Sequence, residues 1–330
     1  MNDNLMLARN LRKDFPVKKT GSSLSRVLRA VDGASLDIRR GEILSLVGES
    51  GCGKSTFGRL LLNLIPPTSG EVIYDGRNLA EIPPKEMRAM RKKMQMIFQD
   101  PYSSLNPRMR VIDILAEPLV THKAARNRRE IEEITADLMN KVGMGSDALR
   151  RFPHEFSGGQ RQRIGIARAI ALKPELIVCD EPLSALDVSI RAQVINLLCE
   201  LKKELSLTYL FISHDLSVVR YLSDRICVMY LGRIVEIGGA SEVLTSPLHP
   251  YTKSLISSAP IPDPQARGRE RIILSGEPPS PIDPPSGCVF RARCQYSESV
   301  CAEERPEMRG EGHTAACHLL YVNRLRKYPL

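Results

Sequence analysis

Residues 42–56 read EILSLVGESGCGKST, and this stretch decides the fold. The run Glu42–Gly48 is short and mostly apolar, which predicts a buried strand, and Lys54–Leu64 has the composition of a following helix. Between them lies the spacing G-x-x-x-x-G-K-[ST], in which glycines let the backbone curl around an anion at a helix N-terminus. The stretch therefore predicts a strand, a phosphate-binding loop and a helix, in that order.

The residue types of this loop suit a magnesium-bound nucleotide. Successive backbone N–H groups can face the phosphates, Lys54 can reach the β- and γ-phosphates as a point charge, and the Ser55 hydroxyl suits Mg²⁺. We expect eight loop residues to bind nucleotide: Gly48, Ser50, Gly51, Cys52, Gly53, Lys54, Ser55 and Thr56. Taken alone, the loop equally suits a GTPase or a small-molecule kinase, and it can also be a plain glycine-rich turn.

The composition is that of a soluble globular protein. Of the 330 residues, 42% are apolar and 26% are charged. No apolar run approaches the roughly 18–20 residues of a membrane-spanning helix, and the N-terminus lacks a secretory pattern, so we expect a cytosolic protein. The net charge is +9, but the basic residues are spread out and the chain has no Trp. Nucleic acid is therefore not an expected partner.

Strand-like and helical stretches alternate from about residue 5 to residue 245, which predicts an α/β domain with a mostly parallel sheet. Within it, residues 105–172 are richer in helix signals and predict a helical subdomain. Prolines crowd into residues 260–287, exclude regular helix there and predict an ordered or extended linker. We therefore expect a nucleotide-binding domain over residues 1–250 and a C-terminal extension over residues 251–330.

A second predicted strand ends in two carboxylates. Leu176–Cys179 is apolar and is followed by Asp180 and Glu181. A buried strand that ends in Asp can place that carboxylate beside phosphate-bound Mg²⁺, and Glu181 then lies where it can polarise the attacking water. This motif alone also fits a strand that ends in solvated acids. Combined with the phosphate loop, it favours a hydrolytic site.

The decisive segment for the family is Phe156–Arg163, FSGGQRQR, which resembles the signature motif of ABC ATPases. The usual motif begins with Leu, so Phe156 is a mild departure at an apolar position. Physically, a serine and two glycines before a helix form a second anion site from backbone N–H groups, and Ser157 can also simply cap that helix. The resemblance implies that two such domains pair head to tail, with Ser157, Gly158, Gly159 and Gln160 of one contacting the ATP held by the other.

Four further positions match the same family in order and spacing. The resemblance implies that Gln99 joins the metal site to the helical subdomain and that Ser184–Asp187 crosses the dimer interface. It also implies that His214 contacts the γ-phosphate and that Phe15 stacks on adenine, although Phe15 fits a core position equally well. We thus expect Glu181, His214 and Gln99 to be catalytic, and Ser55, Gln99 and Asp180 to hold Mg²⁺.

The C-terminal part resembles the extension of oligopeptide and dipeptide ABC importers, on the segments His249–Thr252 and Leu274–Cys288. The resemblance implies a P-loop fold with a mostly parallel sheet, an antiparallel β portion and a helical subdomain. It implies an ATPase at the cytoplasmic face of the plasma membrane that works with a second homologous ATPase, two transmembrane permeases and an extracytoplasmic peptide-binding protein. The alternatives are a soluble ABC ATPase in translation or DNA repair, and an importer of nickel chelates or sugars.

Four cysteines follow in the extension, with the spacing Cys288-x5-Cys294-x6-Cys301-x15-Cys317. A cytosolic location disfavours disulfides, and four thiolates in one short segment can hold a metal or a cluster. Similar cysteines in the importer family bind a [4Fe–4S] cluster, so the resemblance implies one here. Tetrahedral zinc and unliganded thiols remain open, although zinc more usually has paired C-x₂₋₄-C spacing.

Overall fold

The computed structural model describes residues 3–18, 25–258, 272, 274, 276–282 and 284–322. About half of the predicted proline-rich linker, residues 260–287, lies outside the described residues, and its described part, 272, 274, 276–282 and 284–287, contains no α-helix, as the prolines predict. The strands are β1 (Asn4–Lys18), β2 (Ser25–Arg39), β3 (Ile43–Val47), β4 (Ser69–Tyr74), β5 (Arg77–Asn78), β6 (Met94–Ile97), β7 (Leu176–Asp180), β8 (Thr208–Ser213), β9 (Arg225–Tyr230), β10 (Arg233–Gly239), β11 (Met308–Arg309) and β12 (Thr314–Ala316).

The α-helices are equally numbered in chain order. They are α1 (Lys54–Leu61), α2 (Pro84–Met90), α3 (Pro101–Ser104), α4 (Val111–Thr121), α5 (Arg128–Lys141), α6 (Gly158–Ile170), α7 (Val188–Leu205), α8 (Leu216–Leu222), α9 (Ala240–Thr245), α10 (Pro250–Ser258) and α11 (Val300–Glu303). No helix in the described ranges is both long enough and apolar enough to cross a membrane.

The chain forms two compact units, and the first comprises the described residues of 1–38, 44–80 and 213–330. It has an antiparallel sheet in the order β2-β1-β4-β5. It also has a mixed sheet in the order β11-β12-β10-β9-β3, in which β3 and β9 are parallel and the other neighbours are antiparallel. The late strand β12 pairs with β10, so the C-terminal part of the chain is built into the edge of this sheet.

The second unit comprises residues 39–43 and 81–212. Its three strands are parallel, in the order β8-β7-β6. Every residue of β7 and β8 is buried, which is why both read as continuous apolar runs rather than as alternating patterns. Helices α4, α5 and α6 lie within residues 105–172, where the sequence is rich in helix signals.

The local predictions around the phosphate loop are confirmed except at one helix end. Strand β3 and helix α1 lie where the sequence places them, but α1 ends at Leu61 rather than at Leu64. Asn63 has a left-handed φ of 49°, and the Leu64 N–H donates to the Arg59 carbonyl at 2.9 Å. This six-to-one bond is a Schellman-type ending, and prolines follow it, so the helix cannot continue.

Candidate functional site

The loop between β3 and α1 depends on glycine at two positions. Gly48 has a φ of 155°, and a Cβ there would lie 2.2 Å from the Met229 carbonyl oxygen. Gly53 has a φ of 108°, and a Cβ there would lie 2.2 Å from the Ala30 carbonyl oxygen. Both obstacles are backbone atoms, which cannot move aside as a side chain can. The loop therefore approaches its neighbouring strands too closely for any other residue.

Lys54 is the cation of this loop, and its side chain is buried within it. Its Nζ donates to the Gly48 carbonyl at 2.9 Å and to the Glu49 carbonyl at 3.0 Å. Lys54 is also the first residue of α1, so the ammonium group adds to the N–H groups of the first helical turn. The hydroxyl residues Ser55 and Thr56 are half-buried in that turn. A cation, N–H groups and hydroxyls on one turn provide an anion-binding surface.

Cys52 lies inside the loop but is not suited to covalent chemistry. The side chain is buried, and burial raises the pKa of its thiol. Only the thiolate is a good nucleophile, so at neutral pH this sulfur packs rather than reacts. Cys52 therefore contributes to the loop by packing and not by covalent chemistry.

In the second unit, Asp180 and Glu181 follow one another at the end of β7. Asp180 is buried, whereas Glu181 is partly exposed and has a left-handed φ of 44°. Non-glycine residues adopt this conformation at a cost of about 1–3 kcal/mol, and they concentrate at functional sites. The Glu181 backbone is held by its N–H, which donates to the Ile212 carbonyl at 3.1 Å, and by its carbonyl, which accepts from Ser184 Oγ at 3.0 Å.

The structure pairs Gln99 directly with Glu181. Gln99 Nε2 donates to Glu181 Oε2 at 3.0 Å, although the two residues are 82 positions apart. This amide restrains the carboxylate that the sequence assigns to the attacking water. The sequence implies a metal-linking role for Gln99 but does not show this bond. It depends on β6 and β7 being parallel neighbours, as the Ile97–Cys179 pairing shows.

The predicted signature segment begins α6 and is capped by its own side chains. Ser157 Oγ accepts from the Gln160 N–H at 3.3 Å, and Gln160 Oε1 accepts from the Ser157 N–H at 3.0 Å. This is a capping box, so the structural role proposed for Ser157 is real. A Cβ on Gly159 would lie 2.4 Å from Ile190 Cγ2, so this glycine allows α7 to approach closely. Phe156 is buried and takes the apolar place of the usual leucine.

The two remaining predicted contacts with nucleotide both lie in the first unit. His214 follows β8 directly and is exposed, and Phe15 lies on β1 with 37% of its surface exposed. Lys13 Nζ lies 5.1 Å from the centroid of the Phe15 ring, which places a cation over one face of the ring. Phe15 is therefore not a core residue, which was the competing interpretation.

The four C-terminal cysteines converge. Cys288, Cys294, Cys301 and Cys317 line one small cavity together with His249 and His318. The Cys288 N–H donates to the Cys301 carbonyl at 2.8 Å, which joins the first and third of these cysteine positions. Within the described residues, no three His, Cys, Asp or Glu side chains are arranged to hold a single metal ion. Burial raises the pKa of Cys294 to about 11 and of Cys317 to about 12, so these thiols need a nearby positive charge to ionise.

One feature of the loop is missed entirely by the sequence patterns. Glu49 is a variable position of the G-x-x-x-x-G-K-[ST] spacing, yet its carboxylate accepts from Arg293 Nη1 at 2.8 Å. The two residues are 244 positions apart. No local pattern signals such a pair, because only the tertiary fold places the cysteine-containing segment beside the loop.

Comparison with known proteins agrees with this architecture. Residues 31–184 match the ABC transporter family, and residues 235–301 match the oligopeptide/dipeptide transporter C-terminal region. The putative oligopeptide transport ATP-binding protein YkfD of Bacillus subtilis is 56% identical over 297 residues, 89% of this chain and 90% of that protein. The oligopeptide transport ATP-binding protein OppF of Escherichia coli is 53% identical over 294 residues, 88% of each chain.

A solved structure agrees as well. The dimeric ATP-binding cassette MJ0796, in a post-hydrolysis state bound to ADP and Pi, superposes with a TM-score of 0.64 at 27% identity. The match covers 71% of this chain and 98% of that cassette. Because these relatives are more than 50% identical over at least 88% of this chain, the chain belongs to the ABC transporter family, in the group that has the oligopeptide/dipeptide transporter C-terminal region.

Proposed function

We propose that the chain is the ATP-hydrolysing subunit of an ABC importer for dipeptides or oligopeptides. The proposal rests on one observation: a protein named for oligopeptide transport is 56% identical along 89% of this chain. The likeness includes the C-terminal region, which extends beyond the ABC transporter match. A general ABC ATPase of translation or DNA repair offers no reason for that region to be present.

ATP binding is assigned to the loop and to the acidic strand end. Backbone N–H groups of the loop residues Gly48, Ser50, Gly51, Cys52, Gly53, Lys54, Ser55 and Thr56 surround the phosphates. Lys54 leaves the loop carbonyls to which it now donates and binds the β- and γ-phosphates instead. Ser55, Gln99 and Asp180 supply oxygen ligands of the kind that Mg²⁺ prefers, and the ion neutralises charge on the phosphates. Phe15, which is 37% exposed, stacks on adenine.

Hydrolysis depends on Glu181. Its strained backbone and its bond from Gln99 hold the carboxylate in one place, where it orients the water that attacks the γ-phosphate. His214 contacts the γ-phosphate. Phosphoryl transfer needs positioning and charge neutralisation more than covalent chemistry, so a fixed carboxylate and a fixed cation suffice.

The start of α6 acts on a different ATP molecule. Ser157, Gly158, Gly159 and Gln160 of this chain contact the ATP that a homologous sister ATPase holds, in a head-to-tail pair. The support is the backbone N–H groups at the start of α6 and the dimeric state of the related cassette MJ0796. Two transmembrane permeases and an extracytoplasmic peptide-binding protein complete the assembly at the cytoplasmic face of the plasma membrane. ATP then joins the cassettes and its hydrolysis releases them.

The domain boundaries are part of the proposal. Residues 1–250 form the nucleotide-binding domain, with the helical subdomain at about 105–172, and residues 251–330 form a cysteine-containing extension. The extension shares the sheet of the first unit through β12, so it is part of that unit rather than an independent body. A segment of this size has too few apolar residues for a core of its own, and a metal-bound group would stabilise it.

We further propose that the four cysteines hold a [4Fe–4S] cluster rather than zinc. All four thiols line one cavity, which matches the four thiolates that a cluster requires. Zinc more usually has paired C-x₂₋₄-C spacing, which the four cysteines lack. Burial disfavours bare thiolates at Cys294 and Cys317, and bound iron would supply the compensating positive charge.

A cluster can be tested by colour. Protein purified without oxygen should be brown, with broad absorption at the blue end of the spectrum, and Cys294→Ser should remove it. Cys199→Ser, on α7 and outside the cavity, is the matched control and should keep the colour. Colourless protein with stoichiometric zinc would replace the cluster by a zinc site.

The transport assignment is tested by its partners. Affinity purification of the chain from native membranes in mild detergent should recover two permeases and a second ATPase. ATP hydrolysis by that assembly should rise when the peptide-binding protein and a peptide are added. Recovery of ribosomes or DNA-repair proteins in place of permeases would overturn the proposal.

A further inference from the structure

All three polar groups of Glu49 are engaged, each by a different part of the first unit. Its N–H donates to the Tyr251 hydroxyl at 2.8 Å. Its carbonyl accepts from Lys54 Nζ at 3.0 Å, and its carboxylate oxygens accept from Arg293 Nη1 at 3.1 and 2.8 Å. A residue at a variable position of a phosphate loop is thus held at its backbone and at its side chain simultaneously.

The two groups that hold Glu49 from outside the loop are themselves fixed. Tyr251 is fully buried on α10, with its ring centroid 4.7 Å from that of Tyr230 and 5.5 Å from that of Phe290. The Arg293 side chain is only 8% exposed. Its backbone N–H donates to the Phe290 carbonyl at 3.0 Å, so the same aromatic cluster anchors both residues. Buried anchors of this kind lose little entropy when they make a hydrogen bond.

These contacts determine where the phosphate loop lies before nucleotide arrives. Lys54 Nζ donates to the carbonyls of Gly48 and Glu49, which flank the Glu49 N–H that Tyr251 holds, and Arg293 holds the carboxylate of the same residue. A binding loop that is already in its bound conformation avoids the entropic cost of ordering. Arg293 also offsets the negative charge of Glu49, which would otherwise repel the phosphates of ATP.

We propose that Tyr251 and Arg293 are positioning residues for ATP binding: they hold Glu49 so that the phosphate loop is preorganised. The inference rests on the proposed function, because it requires that this loop binds ATP. It assigns a task to the C-terminal region that goes beyond covering the sheet. Arg293 immediately precedes Cys294, so the cysteine segment and the phosphate loop are linked through one arginine and one glutamate.

The test is the affinity of the purified full-length chain for MgATP, measured by equilibrium titration. Tyr251→Phe removes one hydrogen bond and keeps the ring, so we expect the Kd to rise about five-fold. Arg293→Gln leaves the Glu49 carboxylate uncompensated, and we expect a rise of about ten-fold. Glu49→Gln removes both the repulsion and the ion pair, so adding Arg293→Gln to it should have little further effect.

Steady-state kinetics distinguish a positioning role from a general loss of stability. In the transporter assembly, Tyr251→Phe and Arg293→Gln should raise the KM for ATP by similar factors and leave kcat within about two-fold, because Glu181 is untouched. A purely structural role would instead lower Tm and the fraction of active protein without changing the KM. Tm is therefore measured on every variant.

Two matched substitutions control for the loss of a buried contact. Arg225 makes a comparable pair with Asp37, at 3.0 and 3.1 Å, and Tyr209 donates its hydroxyl to the Leu198 carbonyl at 3.2 Å. Neither pair includes a loop residue. Arg225→Gln and Tyr209→Phe should leave the Kd for MgATP unchanged, whatever they do to Tm.

Lys54→Ala distinguishes a failure of the proposed ATP site from a failure of the positioning role. If Lys54→Ala binds MgATP as tightly as the parent chain, the loop is not the ATP site and the proposed function fails. If Lys54→Ala loses binding while Tyr251→Phe and Arg293→Gln bind within two-fold of the parent chain, the positioning role is overturned and the ATP site stands. Should Arg293→Gln fail to fold, Tyr251→Phe decides by the same two-fold criterion.

Discussion

Two helices of this protein begin with glycine-rich segments that are proposed to contact ATP, and they begin differently. Helix α1 follows Gly53, a residue without a side chain to cap it, and contributes the buried cation of Lys54. Helix α6 follows Ser157, whose hydroxyl and partner Gln160 form a capping box. The first helix start is therefore open to a ligand, whereas at the second the N–H groups of Ser157 and Gln160 already donate to side chains of the capping box.

The difference suggests a division of roles between the two helix starts. An open helix end with a cation binds phosphate strongly by itself, whereas a capped end is stable without ligand and adds a weaker contact. This agrees with a cassette that binds its own ATP through α1 and contacts a partner's ATP through α6. Substitutions at the two helix starts should therefore differ both in size and in the assembly state where they act.

The largest effect is expected from adding a methyl group at Gly53, with Gly159 at the start of α6 as the comparison. Gly53→Ala should reduce the affinity of the single chain for MgATP by about 100-fold or more, because its Cβ would lie 2.2 Å from the Ala30 carbonyl oxygen at a φ of 108°. Gly159→Ala meets only Ile190 Cγ2, at 2.4 Å, and should leave that affinity unchanged. Equilibrium titration of both variants checks this, and an equal loss in the two would erase the distinction.

The second-largest effect is expected on the rate of ATP hydrolysis rather than on the affinity for MgATP. Glu181→Gln should keep MgATP affinity within about two-fold and slow turnover about 100-fold or more, because the amide cannot polarise the attacking water. Single-turnover hydrolysis alongside nucleotide titration measures both quantities. Turnover at the parent rate would show that Glu181 does not orient the water.

Gln99 should act on the same step more weakly. Gln99→Ala removes the bond that restrains Glu181 and one proposed magnesium ligand, so we expect turnover to fall about ten-fold. Gln95, on β6 with its side chain bonded to the Arg91 carbonyl, is the matched control, and Gln95→Ala should keep the parent rate. Equal turnover in the two variants would argue against a role for the Gln99–Glu181 bond.

The smallest effect is expected at the cap of α6. Ser157→Ala should lower the free energy of unfolding by about 1 kcal/mol, as loss of a helix cap does, without altering the affinity of the single chain for ATP. Asn127, which caps α5 by accepting from the Glu130 N–H at 2.9 Å, is the matched control. Asn127→Ala should cost similar stability, but only Ser157→Ala should also reduce ATP turnover by the assembled transporter, measured at saturating peptide.

Sequence patterns predicted much of the fold because its signals are local. The apolar runs that precede Gly48 and Asp180 correspond to β3 and β7, and the helix that begins at Lys54 is present. The resemblance to the peptide importer group is confirmed by relatives over nearly the whole chain. The early end of α1 was missed, because a left-handed residue at Asn63 follows no strict residue rule.

The sequence proposes the residues of the candidate site but does not show which of them contact one another. The spacing around Gly48 and Lys54 identifies an anion loop, yet it says nothing of the Glu49–Arg293 pair. The Gln99–Glu181 bond and the φ of 44° at Glu181 are likewise invisible in the sequence. The Gln99–Glu181 contact joins residues that are 82 positions apart, and the Glu49–Arg293 contact joins residues that are 244 positions apart. Such contacts depend on strand order and register, which no short window of residues contains.

The sequence by itself determined the strand, loop and helix around Gly48–Ser55 and the proposed binding residues, because glycine spacing, an apolar strand and a following charge are properties of consecutive residues. Only the tertiary structure decided which of these residues are held by hydrogen bonds or ion pairs, and which residues are their partners. It brings four cysteines together around one cavity, although the first and last of them, Cys288 and Cys317, are 29 positions apart. It also places Arg293 in contact with Glu49 of the phosphate loop. The physical reason is that such long-range pairs depend on strand order and register, which bring together residues far apart in the chain.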